Sequence, residues 1–451
     1  MTIPTYIINL KSRTDRKEHC LNEFSGREEF CTTIVEACIH QYGNVGLWNS
    51  IKKIILELSA PDNDLILICE DDHLFTDDYS MEILKKAIAE AIALQADVLS
   101  GGVSWFEDAV QASDLLFQVK KFSGTQFLII FRKFFPLILE ATFTKDDIAD
   151  GKMASLSDRI FFINPFISVQ KEFGYSDATA FNNMFRRVER LFVKSAARAR
   201  ICNSIRRFYN SMPSGSEAKD STTLQNVNIP VYIINLPERT DRREHILQQF
   251  EGKTEFNITM IDACKHEIGA YGLWQSIRKA VSVAIENDDD VMIICEDDHE
   301  FSNYYTGEVL LRNILKAHML GCDYLSGGSG KFDYAVPVSD NLFWANHFLS
   351  TQFIILYRKF FQTILDAPFD ETVIGDIKIS QMTRNKMILF PYISHQKNFG
   401  YSDVTPSQNS NSGIVQEMFN HASERLKKMQ QTHFLYSAFT NQKPDPVKAM
   451  S

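Results

Sequence analysis

The stretch IPTYIINLKSRTDRKEH at 3–19 returns as IPVYIINLPERTDRREH at 229–245, with 13 of 17 positions identical. The shift of 226 residues then holds without a gap across a long span. ICEDDH at 68–73 matches ICEDDH at 294–299, and LSGG at 99–102 matches LSGG at 325–328. Thr125-Gln126-Phe127 matches Thr351-Gln352-Phe353, and Gln170-Lys171 with FGYSD at 173–177 matches Gln396-Lys397 with FGYSD at 399–403. A period this long means two whole domains rather than a solenoid, whose units are far shorter.

Within each copy, strand and helix signals alternate. PTYIINL reads as a buried strand, followed by a charged helix from about Asp15. A short strand near Thr32–Ala37 precedes a helix from about Val45 to Leu58, with Trp48, Ile51, Ile54 and Ile55 on one face. DLILIC at 64–69 is an apolar run of the central-strand kind, stopped abruptly by Glu70-Asp71-Asp72. A helix over about Tyr79–Leu94 and strands at Ala96–Leu99 and Gln126–Phe131 follow. The fold class is therefore α/β: two tandem Rossmann-like domains, each a mainly parallel sheet flanked by helices. Active sites of such sheets lie beyond the carboxyl ends of the strands, which is where each EDD falls.

Between the copies, residues 181–208 carry eight basic residues against a single acid, Glu189. SMPSGSEAKDSTTLQNVN at 211–228 reads as a linker. MFNHASERLKKM at 418–429 resembles MFRRVERLFVKS at 184–195, so each domain is expected to close with its own helix. The layout expected is a first domain over 1–180, a basic helix and linker over 181–228, a second domain over 229–405, and a C-terminal helix and tail over 406–451.

Composition narrows the function. The 451 residues are 45% apolar and 23% charged, an ordinary globular profile that excludes disorder and fibres. A net charge of -10 repels phosphate backbones, so nucleic acid is not an expected partner. No run approaches the ~20 apolar residues of a spanning helix, and no signal-peptide core is visible. The eight cysteines form no CxxC pair, as expected of reduced thiols in a cytoplasmic protein.

Glu70 and Asp72, like Glu296 and Asp298, sit two apart just past a buried strand, so both carboxylates can converge on one cation. Hard divalent ions such as Mn2+ or Mg2+ take one or two protein carboxylates plus substrate phosphates. A solvated acidic turn is the plain alternative, and its recurrence in both copies favours the metal. Asp71 and Asp297 point the other way, toward a structural or nucleotide-side role. The signature INLxxRTDRxEH supplies Asn9, Arg13 and Arg16, then Asn235, Arg239 and Arg242. These residues suit a grip on a diphosphate or an ion-paired helix start equally well.

IINLxxRxDR, the helix segment AYGLWQS and EDD after an apolar strand together resemble glycosyltransferase family 25. The resemblance covers most of each repeat, roughly 3–177 and 229–403. It departs from the family where a Gly-Cys-x-x-Ser-His motif is replaced by GLWNS and GLWQS. It implies a GT-A-like fold and inverting transfer of a sugar from a nucleotide sugar, a UDP-sugar first, to a glycan such as lipopolysaccharide, with a divalent metal held by EDD. Asp150 and Asp376 resemble the family's acidic residue in the acceptor loop and are the candidate bases; capping of the following helix is the other role open to them. Ser326-Gly327-Gly328 would let a sugar approach the backbone closely or simply form a turn. His395, replaced by Val169 in the first copy, is placed as a late metal ligand or a structural histidine. Three readings follow: two active transferases, one active transferase with a non-catalytic acceptor-binding copy, or a metal-dependent phosphohydrolase. The basic segment 181–208 packs between domains or touches the inner face of the cytoplasmic membrane.

Overall fold

The computed structural model describes residues 2–174, 186–212, 227–349, 351–368, 370, 375–400 and 413–440. Most of the expected linker, the final residues of each FGYSD and the tail after 440 lie outside them. The chain forms two compact units, Met1–Ser204 with Thr432–Ser451, and Ile205–Gln431.

In the first unit one sheet has the strand order Phe30–Glu36, Ile3–Asn9, Leu65–Glu70, Phe127–Phe131, Val98–Ser100, Ile160–Ile163, Leu116–Val119, Ala109–Gln111. Ile7 faces Ile34 on one side and Cys69 on the other, both in parallel register. The second unit repeats the order from Phe256–Asp262 to Ala335–Pro337, with Ile233 between Met260 and Cys295. The sheets are mainly parallel but not wholly so. Phe127–Phe131 runs antiparallel to both of its neighbours, and Leu116–Val119 is also reversed. Between Ser100 and Phe127 the chain forms only short strands, with no crossover helix.

Leu65–Glu70 is buried along its apolar length, because strands paired on both edges and covered on both faces read as continuous hydrophobic runs. Helix Thr14–Phe24 buries Arg16, Cys20 and Phe24, one side chain per turn, so Arg16 is the polar member of an inward stripe. The helix expected to run to Leu58 is α-helical over Gly43–Lys53 and closes in a π turn, Ile54–Leu58; its counterpart Gly269–Glu286 is α-helical throughout. Ser80 and Thr306 cap the next helices by accepting from Ile83 N and Val309 N, each at 3.1 Å.

The two long helices, Arg187–Ser211 and Ile414–Thr440, correspond differently from the sequence match. Arg198 donates to Phe106 O at 2.8 Å with its guanidinium 4.3 Å from the Phe106 ring. Arg425 donates to Phe332 O at 3.0 Å and stands 4.0 Å from the Phe332 ring. Because Phe106 and Phe332 are repeat equivalents, Arg198 answers to Arg425, two helical turns away from the register of MFRRVERLFVKS on MFNHASERLKKM. The inward contacts set the register, and the similar letters lie elsewhere. Tyr436, in the part of the second helix that belongs to the first unit, meets Phe161 at 5.8 Å in that unit's core. Among the described residues no helix is long and apolar enough to cross a membrane.

Candidate active site

Each acidic triplet follows the carboxyl end of the third strand and turns at once into a short strand, His73–Phe75 or His299–Phe301. The middle aspartate is locked. Asp71 accepts from Asn9 Nδ2 at 2.9 Å and from Arg16 Nη1 at 3.1 Å; Asp297 accepts from Asn235 Nδ2 at 2.9 Å and from Arg242 Nη1 at 3.0 Å. All of these side chains are buried. Asn9, Arg16, Asn235 and Arg242 therefore act first as the frame that fixes the triplet. Arg13 is more open and stands 3.9 Å from Asp71; Arg239 lines the cleft described below.

The flanking carboxylates face a different environment. Thr351 Oγ1 donates to Glu296 Oε1 at 2.5 Å, and Thr125 donates to Glu70 in the same way. Gln396 Nε2 donates to Asp298 Oδ2 at 2.9 Å, and Gln170 Nε2 to Asp72 Oδ2 at 2.6 Å. Arg242 is only 3.7 Å from Asp298, too far for a good hydrogen bond. Asp298 Oδ1 and Asp72 Oδ1 are buried without a hydrogen-bond partner among the described residues, as are Gln352 Oε1 and Gln126 Oε1. Burial, then the neighbouring aspartate, push Glu296 and Glu70 well above the ordinary carboxylate range; burial raises Asp298 and Asp72 too. Asp376 and Asp150 are near enough to raise the glutamates further, and Asp376 is itself raised by burial.

In the second unit these groups line a cleft of about 1290 Å3. Glu296, Asp298, Asp376, Arg239, Asn235 and Gln352 form its polar wall, while Leu349, Ile414, Val415, Met418 and Phe419 give an apolar one. Asp376 enters from the first turn of helix Gly375–Met382, accepting from Ile377 N at 2.7 Å; Asp150 accepts from Gly124 N at 2.9 Å. Among the described residues no group of three or more His, Cys, Asp or Glu is arranged to hold a metal ion.

Two expected groups lie outside this constellation. His395 sits on a strand paired with His299–Phe301, and alternation sends Gln396 to Asp298 and His395 to the opposite face. Its ring lies 5.8 Å from Phe419 and 6.3 Å from Tyr392. Ser326-Gly327-Gly328 is an internal packing feature. Ser326 Oγ donates to Gly328 O at 2.8 Å, and a Cβ on Gly328 would lie 2.2 Å from Ser394 O. The polar groups beside the triplet that the sequence reading used only as repeat markers are Thr351, Gln352 and Gln396. Their signal was identity between copies at polar positions flanking buried strands.

No family model matches the chain, and no curated protein matches it. Among solved structures, A197 from STIV is similar at a TM-score of 0.27 and 12% identity, over 39% of this chain and 87% of that one. Apo-UDP-glucose pyrophosphorylase is similar at a TM-score of 0.27 and 12% identity, over 44% of this chain and 82% of that one. At those scores neither bears on what the site does.

Proposed function

We propose that this chain is a tandem glycosyltransferase that moves a sugar from a nucleotide sugar, a UDP-sugar first, to a glycan hydroxyl with inversion, each repeat carrying one site. The observation that carries this reading is the pair Glu296–Asp298. Asp298 is buried and Glu296 half-buried, both are raised by their surroundings, and Asp298 holds an oxygen with no partner among the described residues inside a cleft large enough for a nucleotide sugar. Two carboxylates that repel each other, one of them with an oxygen that has no partner among the described residues, fit a hard divalent cation, Mn2+ or Mg2+, completed by substrate phosphate oxygens. Such an ion supplies the charge neutralisation that the departing diphosphate needs.

The chain's own residues do the rest. Asp297, clamped by Asn235 and Arg242, keeps the triplet from relaxing when its neighbours charge. Arg239 lines the cleft and can meet a diphosphate there. The acceptor oxygen bonds to the anomeric carbon as the bond from that carbon to the diphosphate breaks, its electron pair leaving on the phosphate oxygen. Asp376 Oδ takes the hydroxyl proton, and its raised affinity for protons suits a base that must work near neutral pH.

The test is a thermal-shift screen of the full chain against a panel of nucleotide sugars with and without Mn2+. A shift that requires both metal and one donor class is expected, followed by transfer to a glycan. Cleavage of the donor to sugar phosphate and nucleoside monophosphate with every acceptor withheld, at the same rate as with it, would replace the transferase by a phosphohydrolase.

A further inference from the structure

We infer that the outward face of helix Arg187–Ser211 docks on an anionic lipid surface. The inward face of this helix is spent on the fold. Phe192, Cys202 and Tyr209 are buried, and two of its arginines are occupied by carbonyls: Arg198 by Phe106 O and Arg206 by Pro337 O at 2.7 Å. Arg186, just ahead of it, is held by Glu189 at 2.8 Å and leaves the count.

The outward face is a different surface. Arg190, Lys194, Arg200 and Arg207 are exposed and recur at helical spacing along one side. Between them stand Val193, Ile201 and Phe208, with 62%, 43% and 51% of their surfaces exposed. At 1.5 Å per residue this stripe runs for roughly 27 Å. Basic side chains with apolar ones interleaved on one exposed face is the pattern that anionic headgroups and the acyl boundary beneath them select.

The chain supplies its own control. Helix Ile414–Thr440 keeps the inward residues, with Phe419 for Phe192, Arg425 for Arg198, Met429 for Cys202 and Tyr436 for Tyr209. Its outward face has Glu417 where the first helix has Arg190, His421 for Lys194 and Phe434 for Arg207; of these four basic positions only Lys427, for Arg200, stays basic, and Lys428 takes the place of Ile201. The fold therefore does not require the charge. Nor does composition, since the chain as a whole carries -10. A nucleic-acid backbone would use the basic residues but leave Val193, Ile201 and Phe208 in water, and the rest of the chain would repel it. This inference stands whether or not the cleft transfers a sugar.

Co-sedimentation of the full chain with phosphatidylcholine vesicles, with and without phosphatidylglycerol, decides it. Binding is expected only with the anionic lipid, and it should weaken as salt rises. Arg190→Glu/Lys194→Glu/Arg200→Glu should weaken binding at least about tenfold, while Lys427→Glu on the second helix leaves it unchanged. Arg190→Gln/Lys194→Gln/Arg200→Gln, with an unaltered melting temperature, keeps the result readable if charge reversal disturbs folding. Equal binding to neutral vesicles, unchanged binding by the glutamine variant, or tighter binding to duplex DNA than to anionic vesicles at the same salt would overturn the inference.

Discussion

In the first repeat Asp71 receives Arg16 at 3.1 Å and Asp72 receives Gln170 at 2.6 Å; in the second Asp297 receives Arg242 at 3.0 Å and Asp298 receives Gln396 at 2.9 Å. Lys171 N and Lys397 N close onto the Asp72 and Asp298 carbonyls at 2.8 and 2.7 Å. The surfaces of the same two units have parted. Lys120 pairs with Asp158 at 2.7 Å in the first, where the second has Asn346 and Arg384. Lys265, bonded to Glu238 at the rim of the second cleft, stands where the first copy exposes Ile39. Buried carboxylates tolerate little change because each depends on several partners, whereas exposed pairs contribute little and drift freely. Both triplets are thus equally well built, and the copies differ in what surrounds them.

The strongest way to break that equivalence is to neutralise one triplet at a time. Glu296→Gln/Asp298→Asn and Glu70→Gln/Asp72→Asn should each abolish the divalent-dependent donor shift of their own unit with no loss of fold stability, since each removes a repelling buried pair. Two different truncated glycans are the expected products. An unchanged product from the Glu70/Asp72 variant would make the first repeat a non-catalytic module. Full transfer and a persisting Mn2+ response in both variants would remove the metal from the proposal.

A second large effect should appear in stability rather than turnover. Arg16→Ala or Arg242→Ala leaves a buried aspartate with its main charge partner gone, which costs about 3–5 kcal/mol. That is a large part of what holds a domain together. Chemical denaturation should show the loss in both variants, whereas Lys120→Ala, which opens a pair whose Asp158 is largely exposed, should cost less than about 1 kcal/mol. If the arginine variants cost no more than the lysine one, the frame is not holding the triplet.

The next effect is smaller and depends on pH. Glu70 and Glu296 bind protons more tightly in the folded chain than in the unfolded one, first because of burial and then because of Asp72 and Asp298. Above the ordinary carboxylate value the folded state therefore holds protons that the unfolded state has released, and metal-free stability falls as pH rises toward the raised values. Every tenfold gain in a carboxyl's hold on its proton is worth about 1.4 kcal/mol, or ~3–6 °C in melting temperature for domains of this size. His73 and His299, kept neutral by burial, act in the opposite sense at lower pH, so the comparison is best made above about pH 6.5. Glu296→Gln should flatten the slope, and Mn2+ should flatten it in the wild type. A wild-type slope identical to that of the variant would mean that Glu296 is already ionised in the folded chain.

Much of this was legible in the residues. The 226-residue period reports two domains, and DLILIC stopped by EDD reports a central strand feeding a site. The direction of Phe127–Phe131 was not, because an apolar run reads the same either way. Nor was the division of labour in INLxxRTDR: a repeated spacing of Asn and Arg looks alike whether it grips a ligand or Asp71. Ser326-Gly327-Gly328 left two readings open for a related reason, since a glycine needed for Ser394 O to pass and one needed for a ligand leave the same letter.

The smallest expected effect is the sharpest test of the remaining difference between the copies. His395→Val installs the residue of the first repeat, Val169, and removes the histidine that sequence position alone would place on the metal. The strand register sends Gln396, not His395, to Asp298, and the His395 ring is half enclosed by Phe419 and Tyr392 with its basicity lowered by burial. A valine keeps the apolar contact and adds no strained geometry to a strand. Mn2+ titration by thermal shift should therefore give the same midpoint within about threefold, with a stability change below about 1 kcal/mol. Gln396→Leu should do more, because it strips Asp298 Oδ2 of its donor and leaves both oxygens of that carboxylate without a neutral partner. If His395→Val weakens the metal midpoint tenfold while Gln396→Leu leaves it alone, the histidine reaches the ion and the two strand faces have exchanged roles.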